Sequence, residues 1–436
     1  MHSKTFYQIL KSLFEYFLTM TNNSSGSNSD DCDSSEPSRY AFKPFRYQEI
    51  KPNENSKVPY PRSGHRIGAD SSNFYSFGGY NPLIGGDEIE SDEIWVQSYP
   101  LFQELWRFNF AKKEWIRYPN SHTLPLELAS NALVLHKNIL MVYGGTGSPF
   151  GFRCSNQLFV CRVNDNEGLM DEVHTTGQLP LQSYGQALIY HNDYLYTIGG
   201  TTGVQYTCDI HRLNLKTLVW EIVYVCRGSG EYEPRGRYRH EVGFDNRNIY
   251  ILGGGTALVA FDFVNLPAFS LEKHTWYPQK TVRDLRIGFP LPRRCHGAVQ
   301  INTELGKQVF ITGGHDGENV FDDLWRLDLK TFQWTYFDKC RLPYPIYFHA
   351  AAASPEGRLY IFGGICSNNG NDVRRSNCMY STWLCIPKLS EMCWEAVLHY
   401  SPQIVRCKSD DLIDIGLPRH FVQRLGNNGP PINREQ

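Results

Sequence analysis

Two short stretches of this 436-residue chain concentrate arginine, Arg235-Gly236-Arg237-Tyr238-Arg239-His240 and Arg293-Arg294-Cys295-His296, although the formal net charge is −2. A guanidinium is always charged and presents a planar fork of donors that matches a carboxylate. Comparable segments are Arg62-Ser63-Gly64-His65, Ser183-Tyr184-Gly185-Gln186 and Tyr347-Phe348-His349. Tyr184, Tyr238 and Tyr347 can wall a narrow slot and donate hydrogen bonds into it. The chemistry on offer is capture of an anion. For Arg237, Arg239, Arg293 and Arg294 a second reading stands beside capture, in which they brace neighbouring loops by hydrogen bonds. His65, His240, His296 and His349 recur at one position of these segments. That recurrence makes bracing their expected role and argues against a converging metal or catalytic cluster. No nucleophile–base pair, paired carboxylates or phosphate-binding loop stands out. The chain is therefore not expected to be an enzyme, to hold a metal or to need a cofactor.

Six glycine pairs set out the elements that must position these segments: Gly78-Gly79, Gly144-Gly145, Gly199-Gly200, Gly253-Gly254, Gly313-Gly314 and Gly363-Gly364, spaced 50 to 66 residues apart. Each closes a β-prone run such as Ile249-Tyr250-Ile251-Leu252. A strand ending in Gly-Gly, with a tryptophan further on, at a period of about 50 residues resembles the kelch repeat. A four-stranded unit of this kind cannot bury both faces alone, and radial packing into a propeller solves that. The expected fold is all-β, a six-bladed kelch β-propeller over residues 41–386. Trp115, Trp220, Trp276 and Trp334 are expected to fill the wedges between blades. The second repeat has no such tryptophan and carries Asn164-Asp165-Asn166-Glu167-Gly168 where an aromatic strand is usual, so its fourth strand has the weakest pattern. The sixth repeat supplies three strands, the third expected over 379–386. Phe45-Arg46-Tyr47-Gln48-Glu49-Ile50 is expected to add the outer one and so remove an exposed edge.

Aromatic residues make up 14% of the chain, which suits an all-β protein. With no global basic field, binding to nucleic acid or a membrane is not expected. The 12 cysteines include no C-x-x-C pair, so reduced thiols in a cytosolic or nuclear setting fit best. Ile9, Leu10, Leu13, Phe14, Phe17 and Leu18 have helical spacing, but Lys11 and Glu15 interrupt the run and no cleavage site follows convincingly. Residues 1–40 therefore read as a variable or disordered extension rather than a signal peptide, and 427–436 as a disordered tail.

Behind the propeller, residues 387–426 switch to helical spacing. Leu389, Met392, Cys393, Ala396 and Val397 form one stripe, and a second helical stretch lies near Leu412–Leu425, with Pro418 suited to a first turn. Such helices either fold back on the propeller or dock a partner. Leu389-x-x-x-Cys393-x-x-x-Val397 resembles a BC box, the elongin C-binding helix, with Lys388 and Pro387 before its leucine. Leu417-Pro418-x-x-Phe421-x-x-x-Leu425 resembles a cullin 2 box.

From about Arg62 to Leu425 the chain resembles the kelch-repeat substrate receptors of cullin 2–elongin ubiquitin ligases. The resemblance rests on Phe77-Gly78-Gly79-Tyr80-Asn81-Pro82, Tyr99-Pro100-Leu101-Phe102, Pro149-Phe150-Gly151, Arg237-Tyr238-Arg239-His240-Glu241 and Pro387-x-Leu389-x-Glu391-x-x-Trp394-Glu395. It implies a substrate-recognition subunit that binds elongin C (with elongin B), cullin 2 and its RING protein. It also implies that the propeller reads degrons ending in a C-terminal glycine. In kelch rings the ligand face is built by loops just before the first strand and just after the Gly-Gly strand. On that basis the degron-binding residues are Tyr184, Arg237, Tyr238, Arg239, Arg293, Arg294 and Tyr347. Leu389, Met392, Cys393 and Val397 would bind elongin C, and Leu417, Pro418, Phe421 and Leu425 cullin 2. The alternative is a scaffold that restrains a signalling enzyme, such as a phosphatase or stress kinase, or binds cytoskeleton without ubiquitin transfer.

Overall fold

The computed structural model describes residues 39–84, 98–368 and 372–426. The helically spaced residues between Ile9 and Leu18, the polar stretch after them and the last ten residues lie outside the described residues. Six antiparallel sheets follow one another as blades. The first comprises Arg66–Ala69, Asn73–Phe77, Leu105–Asn109 and Glu114–Arg117. The second comprises Ala132–His136, Ile139–Tyr143, Leu158–Arg162 and Met170–Val173. Ala187–His191, Tyr194–Thr201, Tyr206–Asn214 and Val219–Tyr224 make the third, to which Thr176–Gly177 adds in parallel. The fourth runs from Glu241–Phe244 through Asn248–Leu252 and Asn265–Ser270 to Thr275–Lys280. The fifth runs from Gly297–Thr303 through Gly306–Thr312 and Leu324–Asp328 to Trp334–Tyr336. In the sixth, Ala350–Ala353, Arg358–Phe362 and Met379–Trp383 are joined by Gln48–Ile50, which pairs antiparallel with Gln48 opposite Ser381 and Ile50 opposite Met379. The third strand of this blade ends at Trp383, short of the 379–386 expected.

The second strand of each blade lies between neighbouring blades, which is why it reads as a continuous apolar run. Ile249, Ile251 and Leu252 are each 0% exposed. Each tryptophan reaches across to the adjoining blade: Trp115 lies 5.0 Å from Phe362, Trp220 5.3 Å from Tyr143, Trp276 6.3 Å from Tyr224 and Trp334 5.5 Å from Phe263. In the second blade buried Met170 takes this place, in one cluster with Tyr118 and Leu124. Its fourth strand forms despite the weak pattern. The polar stretch before it is a turn in which the Asp165 carboxylate accepts from the N–H groups of Glu167 and Gly168. Gly168 lies so close to Tyr118 that a β-carbon would stand 2.4 Å from its ring.

A closed circle of backbone hydrogen bonds ties the six blades at the centre. Ser130 N–H donates to Gly64 C=O (2.8 Å), Gly185 to Ser130 (2.8 Å), Arg239 to Gly185 (2.7 Å), Cys295 to Arg239 (3.2 Å), Phe348 to Cys295 (3.0 Å) and Gly64 to Phe348 (3.0 Å). All six residues are left-handed, with φ between 50° and 71°. Four of them are not glycine, and each costs of order 1 kcal/mol in that conformation. The surrounding blades hold them there.

The tail forms three helices, α1 (Leu389–Tyr400), α2 (Ser409–Asp414) and α3 (Arg419–Gln423). The single helical stretch expected near 412–425 is thus two, broken at Gly416 with φ 96°. Pro418 caps α3 rather than lying in its first turn, because its ψ of 133° is extended. Trp394, Val397, Ile404, Leu412, Leu417, Phe421, Val422 and Leu425 make a core of their own. Polar contacts fasten that core to the propeller. Glu395 accepts from Trp383 Nε1 (3.1 Å) and Tyr40 (2.8 Å) and pairs with Arg358. Arg424 bridges Glu391 (2.6 Å) and Glu356 (3.1 Å).

Candidate functional site

Above the hydrogen-bonded circle lies a pocket of about 160 Å³ walled by Tyr80, Phe150, Tyr184, Tyr238, Phe348 and Arg375. The segments before the first strands of the third and fourth blades supply Tyr184 and Tyr238, whose rings meet edge to face at 6.2 Å. Residues after Gly-Gly in the first and second blades supply Tyr80 and Phe150, 4.7 Å apart. Burial raises the pKa of both Tyr184 and Tyr238, so each keeps its proton and can donate it.

Arg375 ends a small sheet, Ile346–Tyr347, Ile365–Asn368 and Asp372–Arg375, that stands over the sixth blade. Its Nε donates to Ser63 Oγ (3.0 Å) and its guanidinium lies 5.1 Å from the Tyr80 ring centre. Arg239 lies under the floor, 3% exposed. It donates to Ser130 Oγ (2.5 Å) and Gly64 C=O (3.3 Å) and stacks on Phe348 at 4.9 Å. Burial pushes its pKa down to about 10, so it remains a cation at neutral pH. Arg294 stands at the side, near Tyr238 and His315. Its Nη1 donates to Thr256 C=O while Nε has no partner. Burial and the Arg294 charge hold His315 at about 4. Among the described residues none of Arg239, Arg294 and Arg375 has a carboxylate within 4.0 Å. Aromatic walls beside guanidinium charge give this pocket groups that can pair with an anion.

Not every expected residue reaches this site. Arg237 and Arg293 are 4% and 0% exposed and do not line the pocket. Together with Arg62 they form one structural set. Each Nε donates to the carbonyl two residues earlier, at Tyr60 (3.0 Å), Arg235 (3.2 Å) and Leu291 (3.1 Å). Each Nη1 donates to the first glycine of the pair, at Gly78, Gly253 and Gly313, all 3.0 Å. Each lies over a phenylalanine, at Phe102, Phe261 or Phe321. These contacts all lie within the blade, the arrangement of the bracing reading, and none of the three guanidinium groups lines the pocket. The sequence carried the sign: all three stand three residues before a histidine, whereas Arg239 and Arg294 do not. Tyr347 packs on His315 (4.7 Å) and Phe348 (5.7 Å) beside the pocket without lining it. Arg375 was missed because it belongs to an inserted hairpin outside the repeat pattern.

His65, His240, His296 and His349 fill wedges between blades. A β-carbon on Gly363, Gly199, Gly253 or Gly313 would meet them at 2.5, 2.8, 3.1 and 2.7 Å respectively. Burial holds all four neutral, His240 and His349 down to about 3.

On the tail, Leu389 is 66% exposed and Met392 and Cys393 are half-buried on the outer face of α1. Val397, in contrast, is in the tail's core, and so are Leu417, Phe421 and Leu425; Phe421 stacks on Trp394 at 5.1 Å. Of the expected cullin-box residues only Pro418 is exposed. No cluster that could hold a metal is present among the described residues, and no helix there is long and apolar enough to cross a membrane.

A family model described as the KLHDC2/KLHL20/DRC7 kelch-repeats domain matches residues 25–254, 83–310 and 226–400. The chain is 40% identical over 416 residues to the kelch domain-containing protein 10 homolog of Drosophila melanogaster, covering 91% of this chain and 67% of that protein. It is 41% identical over 372 residues to kelch domain-containing protein 10 of Xenopus laevis, covering 85% and 87%. It is 41% identical over 369 residues to the Homo sapiens protein, covering 85% and 80%. The matched spans take in the braced arginines, the glycine pairs and the wedge tryptophans of the blades, and the chain belongs to the kelch-repeat family of kelch domain-containing protein 10.

Proposed function

We propose that the protein is the substrate-recognition subunit of a cullin 2–elongin B/C ubiquitin ligase, and that its propeller captures the C-terminal carboxylate of proteins ending in glycine. The observation that carries this reading is the placing of Arg375 in the wall of one narrow aromatic pocket and of Arg239 beneath its lining residues Gly64 and Ser130, with no carboxylate among the described residues within 4.0 Å of either. A terminal carboxylate would pair with Arg375 at the wall. It would feel Arg239 through the floor, where low dielectric strengthens the field. Glycine at the end has no side chain to collide with Tyr184, Tyr238 and Phe348, and a pocket of about 160 Å³ leaves little room for one.

The tail supports the second half of the reading. Glu395, paired with Arg358 of the propeller, and Glu391, linked through Arg424 to Glu356, turn one face of α1 inward and leave Leu389, Met392 and Cys393 outward. That outward stripe is the proposed elongin C contact. Pro418 and exposed His420 would face cullin 2 and its RING protein, with Leu417, Phe421 and Leu425 holding the helix from inside. The protein itself would be an adaptor rather than an enzyme, working in the cytoplasm or also in the nucleus. The test is affinity purification of the tagged full chain from cells. Recovery of elongins B and C with cullin 2 is the expected result. Recovery of a signalling enzyme or cytoskeletal protein with none of these would replace the ligase reading by a scaffold.

A further inference from the structure

Among the described residues, large apolar side chains on the pocket face stand in solvent, and four of them are Phe150 at 46% exposed, Phe152 at 88%, Val204 at 93% and Leu258 at 91%. They sit on the turns that follow Gly-Gly in the second, third and fourth blades, and the turns are locked together. Gly151 and Gly203 approach so closely that a β-carbon on Gly203 would stand 2.6 Å from Gly151 Cα. Cys154 Sγ donates to Thr202 C=O (3.6 Å), and Ala257 N–H donates to the Tyr206 hydroxyl (3.0 Å). The four residues therefore make one ridge, which begins at Phe150 in the pocket wall.

The turns do not need these tips. In Thr202-Gly203-Val204-Gln205 the Thr202 hydroxyl accepts from Val204 and Gln205 N–H (3.4 and 3.2 Å). In Thr256-Ala257-Leu258-Val259 the Thr256 hydroxyl accepts from Leu258 and Val259 N–H, both at 3.2 Å. The fifth blade builds the same turn as Asp316-Gly317-Glu318-Asn319, with the Asp316 carboxylate accepting from Glu318 and Asn319 N–H (2.8 and 2.7 Å). Glu318 occupies the tip that Val204 and Leu258 occupy next door. Local folding thus tolerates a charge there, and apolar tips on three adjoining blades mark a contact surface.

Building on the carboxylate capture proposed above, we infer that the ligand segment upstream of its last two residues runs over this ridge and is apolar there. Charge sets the direction. The corresponding turn of the fifth blade carries Asp316 and Glu318, and Arg375 of the sixth blade stands in the pocket wall, whereas the ridge tips carry no charge. Continuity with the pocket wall at Phe150 sets the path.

The test uses fluorescein-labelled peptides ending in free glycine, one with leucine and phenylalanine upstream, one with serines there, and the amide of each. The full chain is compared with a Val204→Glu, Leu258→Glu variant, which copies the fifth blade's turn and should melt as the parent does. The parent is expected to favour the apolar acid about tenfold, equivalent to about 1.4 kcal/mol, and the variant to bind both acids equally. An equal response of the parent to both acids, or a preference that survives in the variant, overturns the inference while leaving the carboxylate reading intact if acids still beat amides. Acid and amide binding alike with the ridge preference intact supports the ridge and removes the carboxylate reading. Self-association of the parent that the variant abolishes, without any peptide preference, would assign the ridge to a second copy of the chain and overturn the inference.

Discussion

The N–H of Gly64, in the segment that opens the first blade, donates to the carbonyl of Phe348, in the segment that opens the sixth, at 3.0 Å. This bond completes a circle of six left-handed residues. Of these residues Gly64 and Ser130 form the floor beneath which the Arg239 guanidinium lies, and Phe348 lines the pocket. Closure of the ring and shaping of the pocket are one structural event.

Arg239 is a buried cation with no carboxylate among the described residues within 4.0 Å, so its charge works against folding. Arg239→Met should leave the melting temperature unchanged or raise it, since Gly64 C=O keeps its bond from Ser130 N–H. The same variant should weaken a glycine-ended peptide by about tenfold, near 1.4 kcal/mol. Arg375→Ala, at the wall, should lose more, about 2 kcal/mol or above. Calorimetric melting and fluorescence polarisation check the pair, and a larger loss for Arg239→Met would reverse the assignment of floor and wall.

His240 and His349 are held neutral down to about pH 3, against about 6.5 in the unfolded chain. The unfolded state therefore binds more protons between those values. Stability is fully present above pH 6.5 and is lost as pH falls toward 3, by about 1.4 kcal/mol per pH unit for each such histidine. His240→Gln copies Gln186, whose Nε2 donates to Tyr143 C=O (3.3 Å) at the matching wedge. Urea unfolding at stepped pH should show a shallower acid slope for this variant, and an unchanged slope would mean His240 does not titrate on unfolding.

Leu389→Ser with Cys393→Ser should abolish elongin C binding and leave the tail folded, because Leu389 is 66% exposed. Val397→Ser should lose binding by another route, by opening the tail's core at a cost of about 1–3 kcal/mol. Elongin pull-down read beside limited proteolysis of the tail distinguishes them. Full elongin recovery with the double variant removes the BC-box assignment.

Pro418→Ala with His420→Ala should reduce cullin 2 recruitment and spare elongin C. Phe421→Ala is a poor probe, since Phe421 stacks on Trp394 and its removal should cost about 3–5 kcal/mol of packing. Undiminished cullin 2 in the pull-down of the double variant would make α3 a purely structural element.

The blades were legible because their demands repeat. A Gly-Gly turn needs positive φ, which Gly363 (63°) and Gly364 (100°) supply, and the next blade's His65 fills the space a side chain would take. The pocket was only half legible. Tyr184, Tyr238 and Arg239 follow the repeat and could be found from it, but Arg237 and Arg293 share their segments while pointing into the blade. Arg375 comes from a hairpin that obeys no repeat. In the tail, the stripe from Leu389 was visible as helical spacing. The burial of Leu417, Phe421 and Leu425 was not, because three short helices make a core that spacing alone cannot assign to an inner or outer face.

The central claim is that the pocket takes a free carboxylate. Fluorescence polarisation with one glycine-ended peptide, as its acid and as its C-terminal amide, tests it most directly. The account predicts that the acid binds at least tenfold more tightly and that Arg375→Ala narrows the difference, because amidation deletes the charge that Arg375 and Arg239 would neutralise. Equal affinity of acid and amide for the unaltered chain would contradict it.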